Sequence, residues 1–181
     1  PVVPNKPFQG KTNIGSYGDF VVETDWVVGQ VMQAVDDAKI KDNTLFIFTT
    51  DNGAAQFSRK TKGGKTHLSS GPYRGRKRDN WEGGHRVPFI ARWPGVVEPG
   101  TVSSNILCLT DLTRTLVAVA GGEITRHDVA EDSFSFLHAL KEDARVSAVA
   151  GNLLRREATV HHGSSGEFAI RIGDWVYLHH Q

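Results

Sequence analysis

The chain has 181 residues, of which 39% are hydrophobic and 23% charged, and its formal net charge is +1. Such a length and composition indicate an ordinary globular chain with one substantial domain, and no low-complexity tract or repeat is present. No apolar run approaches the roughly 20 residues of a bilayer-spanning helix and no leader opens the chain, so no membrane partner is expected. The opening PVVPNKPFQG lacks a methionine, which favours a start inside a longer protein.

The charges are distributed unevenly along the chain. Residues 52–78 include eight basic side chains and no acidic one, whereas the remainder carries 13 basic and 20 acidic residues. A cationic segment attracts an anionic substrate, although lysine and arginine also keep an ordinary solvated loop soluble. The segment has few aromatic residues to stack bases, so no nucleic-acid partner is expected. Its basic residues are Arg59, Lys60, Lys62, Lys65, Arg74, Arg76, Lys77 and Arg78.

A long amphipathic helix is predicted from Tyr17 to Ala38, because apolar residues recur there at helical spacing. Gly29 in its middle predicts a close approach to a sheet. The stretch TLFIFTTDNG, from Thr44 to Gly53, then places apolar residues side by side without alternation. That pattern is typical of a strand covered on both faces in a mostly parallel sheet.

Asp51 and Asn52 come just past the predicted carboxyl end of this strand, where open α/β sheets bind ligands. Gly53 allows the chain to turn sharply beside them. Adjacent carboxylate and amide oxygens suit calcium, whereas magnesium is harder to satisfy with two side chains. Because the same three residues also make common turns, the triplet alone leaves a metal site and a plain turn open.

The remaining elements complete an α/β pattern. The basic segment is predicted to be a long loop, followed by a strand through Val87, Phe89 and Ile90. A helix capped by Asp111 and a shorter helix over residues 134–140 come next. The runs ATVHH, EFAIRIG and WVYLHH predict antiparallel hairpins. We therefore predict an α/β domain over residues 1–145 and a small β-rich subdomain over residues 146–181.

Four long motifs follow one another along most of residues 1 to 140. They are YGDFVVETDWVVGQVMQAVDDAKIKDNTLFIFTTDNG, GPYRGRKRDNWEGGHRVPFIARWPG, LTDLTRTLVAVAGG and EDSFSFLHAL. This series resembles the carboxyl-terminal half of the arylsulfatases in the alkaline phosphatase superfamily. The resemblance implies part of an alkaline-phosphatase-like, mostly parallel sheet flanked by helices, with a small antiparallel β appendage at the carboxyl end.

The resemblance also implies a site. Asp51 and Asn52 match two ligands of the family's calcium ion, with magnesium as the alternative, and Lys77 matches the lysine that contacts the substrate sulfate. A fixed ammonium and a divalent cation stabilise charge on sulfate oxygens during sulfur–oxygen cleavage, so Lys77 is assigned both a catalytic and a substrate-binding role. The implied substrate is a sulfated small molecule or glycan. In WEGGHRVP, Glu82 and Arg86 are interpreted as a scaffold pair.

The family's nucleophile, a formylglycine made from a C/S-x-P-x-R motif, is expected upstream of this chain. Ser70 to Arg74 reads SGPYR but lacks the family's continuation, and Cys108, the only cysteine, is followed by LTD. We therefore expect the chain to need the missing N-terminal half of a sulfatase and to lack turnover alone. The resemblance favours a periplasmic, secreted or lysosomal location. The alternatives are a non-catalytic remnant that binds sulfated glycans, and a phosphodiesterase or phosphatase of the same superfamily.

Overall fold

The computed structural model describes residues 2–55, 58–126, 128–141 and 156–179. The chain divides into two compact units, Pro1–Pro94 and Gly95–Gln181. The predicted boundary between residues 145 and 146 lies outside the described residues and stays a prediction. All of the predicted site residues belong to the first unit.

Helix α1, Ser16–Asp37, confirms the predicted long helix. Its first turn is tied to the preceding loop by Asp19, which is 4% exposed. The Asp19 carboxylate accepts the backbone N–H groups of Gly10 and Thr12, each at 2.7 Å. The hydrogen bond from Gly10 is the main cause that lowers the pKa of Asp19, against the opposing effect of desolvation. The start of α1 is therefore held by a buried, ionised side chain.

The apolar surface of α1 is only partly covered within this chain. Val28 and Met32 are half-buried, whereas Phe20, Val27 and Val31 are 40%, 47% and 48% exposed. A methyl group at Gly29 would meet no atom of the described residues within 4 Å, so the predicted close approach at Gly29 is not among the contacts described. The stripe predicted from the sequence is therefore present, but much of it faces no partner among the described residues.

Strand β1, Phe46–Thr49, confirms the predicted strand, although each of its residues is half-buried rather than covered on both faces by the described residues. It pairs antiparallel with strand β4, Phe89–Arg92, with Phe48 opposite Ile90. Arg92 also forms an ion pair of 2.9 Å with Asp36 near the end of α1, which ties the sheet to the helix. The strand pairs that the structure describes are all antiparallel, so the parallel neighbours implied by the resemblance are not among them.

The basic segment is not an unbroken loop as predicted, because it contains a hairpin. Strands β2, Ser58–Lys60, and β3, Thr66–Leu68, pair antiparallel. Their connection is closed by hydrogen bonds from Thr61 to Lys65 at 2.8 Å and from Gly64 to Thr61 at 3.0 Å. Gly64 takes the left-handed φ of 78° that this tight turn requires. Backbone pairing thus orders a stretch with little apolar content.

The second unit contains helix α3, Leu112–Val119, as the sequence predicts, and helix α4, Leu137–Lys141, which begins three residues later than predicted. It ends in an antiparallel sheet in chain order, formed by β5, Ala158–His162, β6, Phe168–Ile172, and β7, Trp175–Leu178. The hairpins predicted for the tail are therefore confirmed. No helix in the described parts of the chain combines the length and apolar character needed to cross a bilayer.

Asp111 stands at the start of α3, but the predicted side-chain cap is wrong, because its carboxylate makes no cap hydrogen bond to that helix. The side chain is 1% exposed and accepts the N–H groups of Cys108 at 2.8 Å and Phe134 at 2.9 Å. It also receives Arg156 in a bidentate pair at 2.6 and 2.8 Å. The hydrogen bonds that Arg156 donates to the Asp111 carboxylate raise the pKa of Arg156. This buried pair holds the start of the terminal sheet to the helical part of its unit.

Candidate functional site

The acidic loop, residues 50–53, follows β1 directly and carries Asp51 and Asn52. The Thr50 hydroxyl donates to the Asn52 carbonyl at 3.3 Å, and the Asn52 side-chain amide donates to the Gly53 carbonyl at 3.1 Å. Since the nitrogen is engaged in this way, a cation would bind Asn52 through its amide oxygen. Asp51 is exposed and Asn52 half-buried. The loop therefore presents two hard oxygen ligands of the type calcium prefers.

A short helix, α2, Glu82–His85, packs against the acidic loop. The N–H of Gly53 donates to the carbonyl of Gly84 at 2.8 Å. A methyl group at Gly53 would overlap the carbonyl oxygen of Gly83, so only glycine permits this approach. Gly83 and Gly84 are themselves buried. The two glycines of WEGG therefore pack tightly, and the surface they pack against includes the acidic loop.

Lys77 lies next to the same loop through its backbone. Its N–H donates to the carbonyl of Ala54 at 2.8 Å, one residue beyond the acidic loop, and its side chain is exposed. Among the described residues, no hydrogen bond or ion pair joins the Lys77 ammonium to Asp51 or Asn52. The structure thus brings the three predicted residues into one region, while their shared role stays a prediction.

Aromatic rings contact two arginines in this region, a feature that was not predicted from the sequence. The Arg74 guanidinium lies 3.7 Å from the ring centroid of Trp81, and Arg86 lies 4.8 Å from that of Tyr73. Cation–π contacts of this kind favour fixed positions for the guanidinium groups. The sequence does contain a signal for the contact between Arg74 and Trp81, because these two residues flank the segment that bears Lys77.

Glu82 organises the polar side of α2. Its carboxylate lies 3.3 Å from Arg86 and 3.5 Å from His85, so the predicted Glu82–Arg86 pair is confirmed. The Arg86 side chain is 55% exposed, which makes the pair a weak contributor to stability. These residues shape the support beneath the acidic loop.

The oxygen chemistry of the acidic loop fits calcium, but the ligand set is partial. Calcium takes about six to eight oxygen ligands, and Asp51 and Asn52 would supply only some of them. Within the described parts of the chain, no group of three or more His, Cys, Asp or Glu side chains is placed to hold a metal ion. The calcium assignment therefore stays a prediction.

The comparisons with known proteins all point to the same family. The sulfatase family model matches residues 3–122. The chain is 32% identical to N-acetylgalactosamine-6-O-sulfatase of Bacteroides thetaiotaomicron, with 98% of this chain and 34% of the relative covered. It is 39% identical to steryl-sulfatase of Mus musculus, with 77% and 22% covered. It is 42% identical to N-acetylgalactosamine-6-sulfatase of Homo sapiens, with 67% and 22% covered. The chain thus spans about a third or less of these relatives.

Solved structures agree with the sequence comparison. A Bacteroides thetaiotaomicron structure, described in connection with the metabolism of multiple glycosaminoglycans, aligns with a TM-score of 0.81 at 31% identity, covering 99% of this chain and 36% of that one. A sulfatase from Pseudoalteromonas sp. aligns with a TM-score of 0.72 at 25% identity, covering 98% and 37%. The α/β class with a small antiparallel terminal sheet is therefore that of the sulfatases. On the family match and these relatives, the chain belongs to the sulfatase family.

Proposed function

We propose that the chain is the carboxyl-terminal portion of a calcium-dependent sulfatase that hydrolyses a sulfate monoester to an alcohol and inorganic sulfate. The observation that carries the proposal is the hydrogen bond from the Lys77 N–H to the carbonyl of Ala54, the residue that follows the acidic loop. In a member of the sulfatase family, this bond supports a site in which the Lys77 ammonium would act beside Asp51 and Asn52 as oxygen ligands for a hard cation.

In the proposed reaction, the chain supplies the binding half of the site. Asp51 and Asn52 would hold calcium, which when bound neutralises negative charge on the sulfate oxygens. The Lys77 ammonium donates hydrogen bonds to those oxygens and stabilises the charge that shifts as the sulfur–oxygen bond breaks. The surrounding basic side chains raise the local concentration of an anionic ester. Because the nucleophile is expected outside this chain, the chain alone is expected to show no turnover.

The remainder of a sulfatase is the proposed partner of the exposed α1 face. Phe20, Val27 and Val31 present an apolar stripe that the described residues leave at least 40% exposed. The curated bacterial relative has about two thirds of its length outside the match, since the chain covers 34% of it. Burial of such a stripe is favourable at about 25 cal/mol per Å². This surface is thus suited to pack against the part of the domain that carries the nucleophile.

Sulfated glycans are the substrate class that the relatives favour. Two of them are named for N-acetylgalactosamine 6-sulfate, and one matching structure is described with glycosaminoglycan metabolism. Because steryl-sulfatases are also among the relatives, sulfated small molecules are the second substrate class. Both classes share the sulfate group that Lys77 and the cation would bind.

A chimeric enzyme tests the proposal. The chain would replace the matching third of the Bacteroides thetaiotaomicron N-acetylgalactosamine-6-O-sulfatase, and turnover of 4-nitrophenyl sulfate would be measured. Lys77→Ala is expected to lower kcat by roughly 10²- to 10³-fold, as removal of an oxyanion-stabilising donor does. Lys65→Ala removes an equal charge from the β2–β3 hairpin and serves as the control. Equal turnover by the Lys77→Ala and Lys65→Ala chimeras would contradict the proposal.

The same chimera distinguishes a sulfatase from the alternative of a phosphatase or phosphodiesterase. A sulfatase site is expected to hydrolyse 4-nitrophenyl sulfate faster than 4-nitrophenyl phosphate, and a phosphatase or phosphodiesterase site is expected to show the reverse order. The non-catalytic alternative predicts that the chain binds sulfated glycans through its basic side chains even when Asp51 and Asn52 are removed.

A further inference from the structure

Lys77 lies at the corner of a tight turn with an unusual backbone. The N–H of Asp79 donates to the carbonyl of Arg76 at 2.9 Å, which makes Lys77 and Arg78 the two central residues. Arg78 has a φ of 87°. A left-handed residue at the second central position is the feature of a type II turn, where glycine is favoured and other residues are strained. Arg78 is therefore held in a backbone conformation that arginine disfavours.

The Asp79 side chain closes the turn from its other end. Its carboxylate accepts the N–H of Arg76 at 3.0 Å, so Arg76 and Asp79 exchange two hydrogen bonds. The turn also rests on α2, because a methyl group at Gly84 would overlap the Asp79 carbonyl oxygen. Gly84 is the residue that accepts the N–H of Gly53 in the acidic loop. One support therefore fixes both the lysine turn and the acidic loop.

We infer that Asp79 is a positioning residue for Lys77: its carboxylate keeps the strained turn closed and so holds Lys77 beside the acidic loop. This inference rests on the proposed function, because it assigns Asp79 a task only if Lys77 binds sulfate. Loss of the carboxylate leaves the Arg76 N–H without this acceptor, and the turn can then open to relieve the strain at Arg78. The Lys77 N–H would leave Ala54 as the turn opens.

The test uses the chain itself, with calcium present and 4-nitrophenyl sulfate as the probe. Amide hydrogen exchange at Lys77 reports whether the turn is closed, and NMR titration gives the apparent Kd of the probe. Asp79→Ala is expected to speed exchange at the Lys77 amide and to weaken probe binding ~5-fold, the ratio that corresponds to about 1 kcal/mol. Asp79→Asn keeps an acceptor oxygen and is expected to restore slow exchange and to bind more tightly than Asp79→Ala.

Arg78 provides a second, independent pair of variants. Arg78→Gly and Arg78→Val remove the same charge, but only glycine accepts the left-handed φ without strain. Arg78→Gly is expected to keep the Lys77 amide protected, whereas Arg78→Val is expected to open the turn and to weaken probe binding as Asp79→Ala does. The two Arg78 variants test whether a closed turn positions Lys77 even if Asp79→Ala prevents folding of the first unit.

The outcomes distinguish the two proposals. If Lys77→Ala weakens probe binding while Asp79→Ala and Arg78→Val do not, the positioning role is overturned and the proposed function stands. If Lys77→Ala binds the probe as tightly as the unmutated chain, both the proposed function and the positioning role fail. Weakened binding in Lys77→Ala, Asp79→Ala and Arg78→Val, with recovery in Asp79→Asn, supports both.

Discussion

Lys77 and Ala54 are joined by a backbone hydrogen bond of 2.8 Å, although the β2–β3 hairpin separates them along the chain. The partner of this bond is a peptide carbonyl, so the placement of Lys77 does not depend on its ammonium. Substitution of the Lys77 or Asp51 side chain should therefore change ligand binding without disturbing the fold. This separation makes the binding experiments interpretable.

The close approach of Gly53 to α2 gives a first prediction. Gly53→Ala is expected to destabilise the first unit by roughly 1–3 kcal/mol, because the new methyl group overlaps the Gly83 carbonyl and forces the backbones apart. Gly29→Ala is the matched control, since nothing lies within 4 Å of its new methyl group. It is expected to stabilise α1 by up to about 1 kcal/mol. Urea unfolding of both variants measures the difference, and equal midpoints would contradict the packing described.

The lowered pKa of Asp19 gives a prediction about pH. A carboxylate whose folded pKa lies below its ordinary value of 3.8 stabilises the fold above that value and loses this effect as pH falls through the folded pKa. Asp19→Asn is expected to lower the unfolding midpoint at neutral pH, and the difference from the unmutated chain should shrink below pH 3.8. The exposed Asp25→Asn is the control and should leave the midpoint unchanged. A difference for Asp19→Asn that is constant with pH would argue against an ionised Asp19.

The buried pair of Asp111 and Arg156 should respond strongly when one partner is removed. Arg156→Met is expected to cost about 3–5 kcal/mol, because it leaves the carboxylate of Asp111 buried without its cation. Removal of both charges should cost less than the sum of the single changes. The surface pair of Arg126 and Asp128, with side chains 73% and 63% exposed, is the control and should hardly change the unfolding midpoint. Additive losses at the buried pair would show that the pair is not coupled.

The exposed face of α1 gives a prediction that depends on context. Val27→Lys is expected to change the stability of the isolated chain by no more than about 0.5 kcal/mol, as surface substitutions do. In the chimera, the same change should lower the melting temperature, because the proposed partner segment would bury the new charge. Val28→Lys, at a half-buried position, should destabilise both proteins. A Val27→Lys effect that is equally small in the chimera would mean that this face has no partner there.

The elements that depend on local pattern were predictable from the sequence. The apolar spacing of α1 and the uniform run of β1 identify their structures directly. The β2–β3 hairpin was missed because each strand has only three residues and most of its side chains are exposed, although Gly63 and Gly64 mark a turn. Its order comes from backbone pairing rather than from apolar burial, which is the feature that periodicity detects.

The contacts that assemble the site were not predictable from periodicity. The bond between Lys77 and Ala54 joins distant parts of the chain, and only the resemblance to sulfatases placed the two segments together. The left-handed Arg78 was not foreseen, because arginine is not a typical turn residue and the hydrogen bonds between Arg76 and Asp79 that close its turn are not visible in a sequence pattern. The partner of the α1 stripe could not be read from this chain either, since much of that stripe stays exposed.

The most direct test of the central claim is whether binding of 4-nitrophenyl sulfate to the chain depends on calcium and on the acidic loop. NMR titration of the unmutated chain should give binding at Lys77 that calcium strengthens and that chelation returns to its calcium-free level. In the variant with Asp51→Ala and Asn52→Ala, calcium should no longer strengthen it. Equal binding with and without calcium, unchanged by the double substitution, would contradict a shared metal and sulfate site and would favour the glycan-binding remnant.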